Sequence, residues 1–356
     1  MKPPYAKDWS AFPESQPPPP PPPATDLRAA LDACKVNVAN MPPKPTPIYT
    51  LHGNTLGTAG NLVQLQSQAK AGKTATIGAM IASALSDEFG NDTLGFASDP
   101  KHKGAIIVFD CEQSRHKAHA VTKTALDRAG LESQPDRLRV YSLVEKTVHE
   151  RRKMLAMEIE HAALACGGIH SVFLDGVADL CVDPNDAAET NEFVQELHAL
   201  AYRYQPVIVC ILHENPGTVI SKSRGHLGSQ LERKAEANLI LSKDGNGITE
   251  IYAPRCRECS IPKGKGQRFK YDVAAGMHVT CEPAEKEKAR EDKEMMRELV
   301  EEVFEDVPVM RSSELTAVIK RVKRIKSGAA AYNWLKKLLK AGLIRKNEMK
   351  LYSKAA

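Results

Sequence analysis

Leu62-Val63-Gln64-Leu65-Gln66-Ser67-Gln68-Ala69-Lys70-Ala71-Gly72-Lys73-Thr74 is the stretch on which the fold turns. Its first five residues read as a short apolar strand, and Thr74–Phe89 carries the pattern of an amphipathic helix. Between them, Ser67 to Thr74 matches G-x-x-x-x-G-K-[ST] except at the first position, where serine replaces glycine. In a strand–loop–helix frame, successive backbone N–H groups point at a β-phosphate and the helix presents its positive N-terminus. Gly72 lets the chain approach the phosphates, Lys73 neutralises β/γ charge, and the Thr74 hydroxyl holds Mg²⁺. Ser67, Gln68, Ala69, Lys70, Ala71, Gly72, Lys73 and Thr74 are therefore the expected ATP-binding residues. A side chain at Ser67 constrains a turn that glycine would make freely.

Outward from this loop, strands and helices alternate. The apolar run Ala105–Phe109 precedes a charged helical stretch at Ser114–Ala129 and a short strand at Leu138–Leu143. Then come a helix at Lys146–Cys166, strand Ser171–Leu174, helix Ala187–Tyr204 and strand Val207–Leu212. This order implies right-handed crossovers and an α/β fold with a mostly parallel sheet covered on both faces. Three β-prone pieces without helices, Ala237–Leu241, Thr249–Ala253 and Arg268–Asp272, imply an antiparallel extension of that sheet.

Two acids stand where phosphate chemistry needs them. Val172-Phe173-Leu174-Asp175 is an apolar strand ending in aspartate, suited to order Mg²⁺ together with Thr74. Ile106-Ile107-Val108-Phe109-Asp110-Cys111-Glu112 places Glu112 just past a strand, where a carboxylate can polarise an attacking water. Asp110 can share the task, and either acid can instead cap the helix that starts near Ser114.

The chain has 356 residues, 42% of them apolar and 26% charged, enough for one large domain and a small one. It has no run of 18 or more apolar residues, and none follows Met1-Lys2-Pro3-Pro4, so neither a membrane span nor a secretory signal is expected and the location is cytoplasmic. Eight scattered cysteines do not resemble a disulfide framework. Residues 1–47 include seven consecutive prolines, Pro17 to Pro23, and read as an extended tail or spacer, open to docking a partner, with a short helix at Asp26–Asn37. The net charge of +5 is concentrated. Residues 284–306 hold 5 Lys/Arg against 10 Asp/Glu, whereas residues 311–354 hold 13 Lys/Arg against 2 Glu. A basic segment beside an acidic connector suggests a module for a polyanion.

With these residues in view, Ile48 to Thr280, within a core domain at 48–283, resembles the RecA-like ring ATPases, in particular the RepA-type replicative helicase group carried by plasmids and mobilisable elements. The resemblance rests on Ala-Lys-Ala-Gly-Lys-Thr, Phe-Asp-Cys-Glu-Gln-Ser, Leu-Asp-Gly-Val-Ala-Asp-Leu, the Leu-His-Glu-Asn-Pro run from Leu212 and the Arg-Gly-His-Leu-Gly-Ser run from Arg224. It implies that Glu112 is the catalytic glutamate and that His213 senses the γ-phosphate. It further implies that Glu214–Gly228, with Lys222 and Arg224, is a mobile DNA-facing loop. Arg255-Cys256-Arg257 then resembles the basic pair that reaches ATP across a subunit interface, Arg255 toward the nucleotide and Arg257 as the finger. Cys256-Arg257-Glu258-Cys259 invites a zinc reading, but no second pair or histidine doublet accompanies it, and zinc is not expected.

After a charged connector at 284–294, residues 295–356 read as three helices and a terminal hairpin. Met295–Phe304 is amphipathic, Ser312/Ser313 caps a second helix to Val322, and Ser327 caps a third to Ala341 that Gly342 ends. Leu343–Lys346 and Met349–Tyr352 form the hairpin. The pattern resembles a winged helix, with Tyr332, Asn333, Lys336 and Lys337 facing a duplex groove and Arg345, Lys346 and Lys350 meeting phosphates. The whole reads as a DNA-dependent ATPase with ATP and Mg²⁺ as cofactors. It forms a homo-oligomeric ring, a hexamer, that translocates on single-stranded DNA as a helicase, with a replication or mobilisation partner. The alternatives are a nucleotide-switched DNA-binding regulator and a recombination or loading ATPase.

Overall fold

The computed structural model describes residues 24–41, 44–86, 91–99, 101–214, 225–282 and 284–355. Two units result, Met1–Pro45 and Thr46–Ala356. The first holds helix α1 (Ala24–Ala33), shorter at its C-terminal end than the sequence suggests.

The second unit begins with strands β1 (Pro47–Leu51), β2 (Asn54–Thr58) and β3 (Leu62–Ser67), helix α2 (Lys73–Leu85) and strand β4 (Phe96–Ser98). It continues with β5 (Ala105–Asp110), α3 (Arg115–Ala129), β6 (Leu138–Ser142), α4 (Val148–Ala165), β7 (Ile169–Asp175) and α5 (Ala187–Tyr204). Then follow β8 (Val207–His213), α6 (Gly225–Lys234), β9 (Ala237–Lys243), β10 (Thr249–Cys256), β11 (Gln267–Asp272) and β12 (Met277–Thr280). The chain ends in α7 (Ala284–Val303), β13 (Val309–Met310), α8 (Ser312–Val322), α9 (Gly328–Lys340), β14 (Ile344–Lys346) and β15 (Tyr352–Lys354).

Strands rich in Val, Ile and Leu on both faces must be covered twice, and they are. The central sheet runs β12-β11-β10-β9-β3-β8-β7-β5-β6. From β9 to β6 neighbouring strands are parallel, while β10, β11 and β12 add on antiparallel. This is an α/β fold with a large, mostly parallel mixed sheet, consistent with a RecA-like core. Side chains alternate across it. Val63, Leu65, Ile106, Phe173, Val209 and Ile211 enter one core with α2 and α3. Leu62, Ile107, Val172, Leu174, Ile208 and Leu212 enter the other with α4, α5 and α6.

Several elements depart from the sequence reading. A small sheet, β2-β1-β4, was not anticipated. It is tied to the large one by a buried chain in which Ser98 Oγ lies 2.7 Å from His170 Nε2, His170 Nδ1 lies 3.0 Å from Ser171 Oγ, and Ser171 Oγ lies 3.0 Å from Tyr49 Oη. Gly225–Gly228, expected in a loop, opens α6, because Leu227 and Leu231 bury one face of a helical turn pattern. Residues 284–294 are not a separate connector: Glu, Lys, Arg and Ala are helix formers, and α7 runs through them without a break. Ser312 is the first residue of α8 and not its cap, and the Glu314 carboxylate accepts from Arg311 N–H at 2.8 Å.

In the C-terminal part, Leu299, Val303, Leu315, Ile319, Leu335 and Leu338 form a third core. Helices α7, α8 and α9 pack there with the sheet β13-β15-β14. Helix α9 ends in a Schellman motif, with Gly342 left-handed at φ 69°, Gly342 N–H on Leu339 O at 3.0 Å and Leu343 N–H on Leu338 O at 3.1 Å. The hairpin's second strand starts at Tyr352, later than expected, because Asn347 organises a turn over Met349 and Lys350 by accepting from Leu351 N–H. Among the described residues no helix is long and apolar enough to cross a membrane.

Candidate active site

Parallel strands all end on one edge of a sheet, and here that edge gathers the acids and the phosphate-type loop. Ser67, last in β3, pairs with His213, last in β8, and Asp175, last in β7, pairs with Asp110, last in β5. One strand, β8, therefore separates the loop strand from the Asp175 strand.

Ser67 is buried in extended backbone and makes no turn, and its Oγ donates to Gln68 O at 2.8 Å. The left-handed residues of the loop are Lys70, at φ 62°, and Gly72, at φ 99°. Glycine's freedom is thus needed at Gly72 and not at Ser67, which removes the constraint expected there. Gly72 also has no room for a side chain: a Cβ would stand 2.8 Å from Phe269 Cζ. Thr249 Oγ1 donates to Ala71 O at 3.1 Å and holds the loop from β10. Gln68 and Ala69 lead into the buried Ala71, and Thr74 is half-buried in the first turn of α2.

Lys73 Nζ lies 2.9 Å from each ring nitrogen of His213, and His213 Nε2 lies 3.3 Å from Glu112 Oε2. Burial lowers the Lys73 pKa, and Glu112, Asp175 and Glu214 act against that shift. Asp110 is used structurally: its Oδ1 accepts from Glu112 N–H at 3.0 Å and from Gln113 N–H at 2.8 Å. That leaves Glu112 as the acid facing the site, while Ser114 caps α3. Gly176, at φ 82°, gives Glu112 its room, since a Cβ there would stand 2.7 Å from Glu112 Cγ and 3.2 Å from Asp179 Oδ2. Burial, then the neighbouring charges of Asp110 and Glu112, push the Asp175 carboxyl up to about 7. Gln113 Nε2 donates to Asp175 Oδ2 at 3.3 Å.

The residues present fit ATP with Mg²⁺. A left-handed glycine, a desolvated lysine and a helix N-terminus suit phosphates, and a carboxyl that burial keeps from ionising is one that a divalent cation would hold ionised. Thr74 and Asp175 would hold the ion. Among the described residues no three His, Cys, Asp or Glu are placed to bind a metal by themselves, so nucleotide oxygens and water would complete its shell. Beside the loop, a cavity of about 300 Å³ bordered by Gln68, Ala71, Glu214, Leu241, Tyr252 and Lys263 offers space for the rest of the nucleotide.

A pH dependence follows. Mg²⁺ must displace the Asp175 proton, so binding of Mg·ATP should weaken as pH falls through about 7. Calorimetric titrations at about pH 6 and about pH 8 check this, and Asp175→Asn should flatten the difference. For the ligand-free chain the folded form binds that proton more tightly than the unfolded one. Its contribution to stability therefore declines as pH rises from the ordinary carboxylate value toward about 7.

Not every expected residue joins this site. Strand β10 starts beside the loop at Thr249, paired with Lys243, and ends at Cys256, paired with Ala237 at the other end of β9. Arg255 and Arg257 therefore lie on the opposite edge of the sheet, Arg255 paired with Glu232 and Arg257 Nη2 donating to Lys234 O at 3.0 Å. Lys222 and Arg224 lie outside the described residues. On α9, Tyr332, Asn333, Lys336 and Lys337 share the exposed face, opposite the buried Ala331, Leu335 and Leu338. Lys336 stands over the Tyr332 ring, and Lys323 and Lys337 over Trp334. Arg345 and Lys346 are exposed on β14, and Lys350 is exposed in the turn beyond it.

Gln113, Gly176, Asp179 and Glu214 were missed as participants. Gln113 and Gly176 were visible in Phe-Asp-Cys-Glu-Gln-Ser and Leu-Asp-Gly, but only the paired strand ends bring them together. No curated protein matches the chain. The AAA domain family matches residues 28–218, more than half of the chain, from within α1 to just past β8, and so includes the loop, both acids and His213. With that match over this geometry, the chain belongs to the AAA domain family of RecA-like P-loop ATPases.

Proposed function

We propose that this ATPase is DNA-dependent: a cytoplasmic, ring-forming helicase of the replicative type from a plasmid or mobile element, coupling ATP hydrolysis to movement along single-stranded DNA. The observation that carries the reading is one chain joining His213, in contact with both Lys73 and Glu112, to a C-terminal module with 13 Lys/Arg against 2 Glu. The exposed face of α9 and the basic hairpin suit duplex phosphates and base edges, which fits recruitment to an origin with a replication or mobilisation partner. Because Arg255 and Arg257 stand at the edge away from their own loop, they suit a neighbour's ATP in a hexameric ring, where they would stabilise the transferring phosphoryl group.

Steady-state phosphate release with and without single-stranded DNA, for wild type and Lys73→Ala, tests the reading. Release that DNA stimulates and Lys73→Ala abolishes is the expected result. Nucleotide binding with no release in either condition would replace it with the nucleotide-switched regulator. Release without strand separation on fork substrates would favour a recombination or loading ATPase.

A further inference from the structure

Between the bridged residues Ala253 and Ile261, the chain runs through the end of β10, Pro254-Arg255-Cys256, and a loop at Arg257-Glu258-Cys259-Ser260. Both bridge hydrogen bonds, Ala253 N–H to Ile261 O and Ile261 N–H to Ala253 O, measure 2.9 Å. Cys256 is fixed on one side of the loop by its pairing with Ala237 and by Arg257 N–H on Glu236 O at 2.9 Å. Cys259 is fixed on the other, its thiol donating to Thr55 O of β2 at 3.3 Å. Two residues separate the cysteines in this loop, Cys256 Sγ donates to Ala253 O at 3.7 Å, and both thiols are free and half-buried. Two sulfurs do not make a zinc site, but two thiols pinned three residues apart on one closed loop suit a bond to each other.

We propose that Cys256 and Cys259 form a reversible dithiol–disulfide site that exchanges with glutathione-type disulfides. Cys259 lies past the strand pairing that holds Cys256, and burial raises the Cys256 thiol, so Cys259 is the attacking group. Its thiolate attacks one sulfur of the external disulfide, forming a mixed disulfide and releasing one thiolate. Cys256 then loses its proton to water and attacks the Cys259 sulfur, expelling the second thiolate. Two protein thiols are oxidised and one external disulfide is reduced to two thiols. The bond would tighten the loop that carries Arg257 and follows Arg255. It lies on the sheet edge away from the phosphate-type loop, so its formation does not depend on the proposed DNA function.

The test uses the full-length protein in glutathione buffers of rising disulfide fraction with a chelator present. The reaction is quenched in acid, the protein is alkylated, and it is digested by a protease that spares arginine. The peptide holding Cys256 and Cys259 should lose both alkylation sites together with two hydrogens of mass, and dithiothreitol should restore both. Exposed Cys34 should take up glutathione alone and serves as the internal comparison. Cys256→Ser should stop at a mixed disulfide on Cys259. In denaturant, wild type should need a ratio of disulfide to squared thiol at least about tenfold higher for half oxidation. Independent alkylation of the two cysteines, a persistent glutathione adduct on wild-type Cys259, or equal oxidation in folded and denatured protein would each overturn the proposal.

Discussion

Glu112→Gln should slow phosphate release by about 10²–10⁴-fold while nucleotide binding stays close to wild type. The substitution keeps the side chain's volume against Gly176 and its reach to His213 Nε2, 3.3 Å away, and removes only the ability to take a proton. Asp110 is buried, and its Oδ1 is held by two backbone N–H groups. Asp179 is the nearest competitor, with its Oδ2 close to the same glycine, and burial followed by the Glu112 charge pushes its carboxyl up. Single-turnover hydrolysis beside a fluorescent-nucleotide binding titration separates the cases. A rate within about tenfold of wild type, with binding intact, would assign the base elsewhere and make Asp179→Asn the next variant.

Gly72→Ala should remove ATP binding and destabilise the fold. A left-handed conformation at φ 99° costs a residue with a Cβ about 1–2 kcal/mol. The new methyl would also stand 2.8 and 2.9 Å from two ring atoms of Phe269, which is fully buried and has nowhere to retreat. Overpacking of that kind adds about 1–3 kcal/mol. The loop can escape only by turning its N–H groups away from the phosphates, so lost affinity and lost stability should appear together. Thermal melting and nucleotide titration of Gly72→Ala check this against Lys70→Gly, which suits its left-handed φ of 62° and should keep binding. Wild-type affinity in Gly72→Ala would show that the Phe269 contact does not shape the loop.

Much of the fold was legible because buried parallel strands and the helices between them carry long, regular apolar patterns. Helix α5 falls at Ala187–Tyr204 as expected, and β3, β5, β7 and β8 each lie within two residues of their expected bounds. The small sheet was hidden because β4, three residues long, pairs with β1 from more than forty positions away, and nothing local announces that meeting. Helix α6 was hidden because Gly225 and Gly228 suggest a loop, while the large side chains it buries are those of Leu227 and Leu231. In the site, residue types and strand ends pointed to Lys73, Glu112 and Asp175, and the family resemblance pointed to His213. The contact of Lys73 with His213 and the separation of Arg257 from its own loop depend on strand order, which the sequence does not spell out.

Gly176 carries no functional group, yet it bounds the space in which Glu112 stands. The geometry of this carboxylate is therefore set partly by an omission, a missing methyl beneath it. Alanine there would alter no charge and remove no hydrogen-bonding group while still displacing the acid. Tolerance to mutation in this cleft is thus governed by volume as much as by polarity, and neutrality of charge is no guide to neutrality of effect.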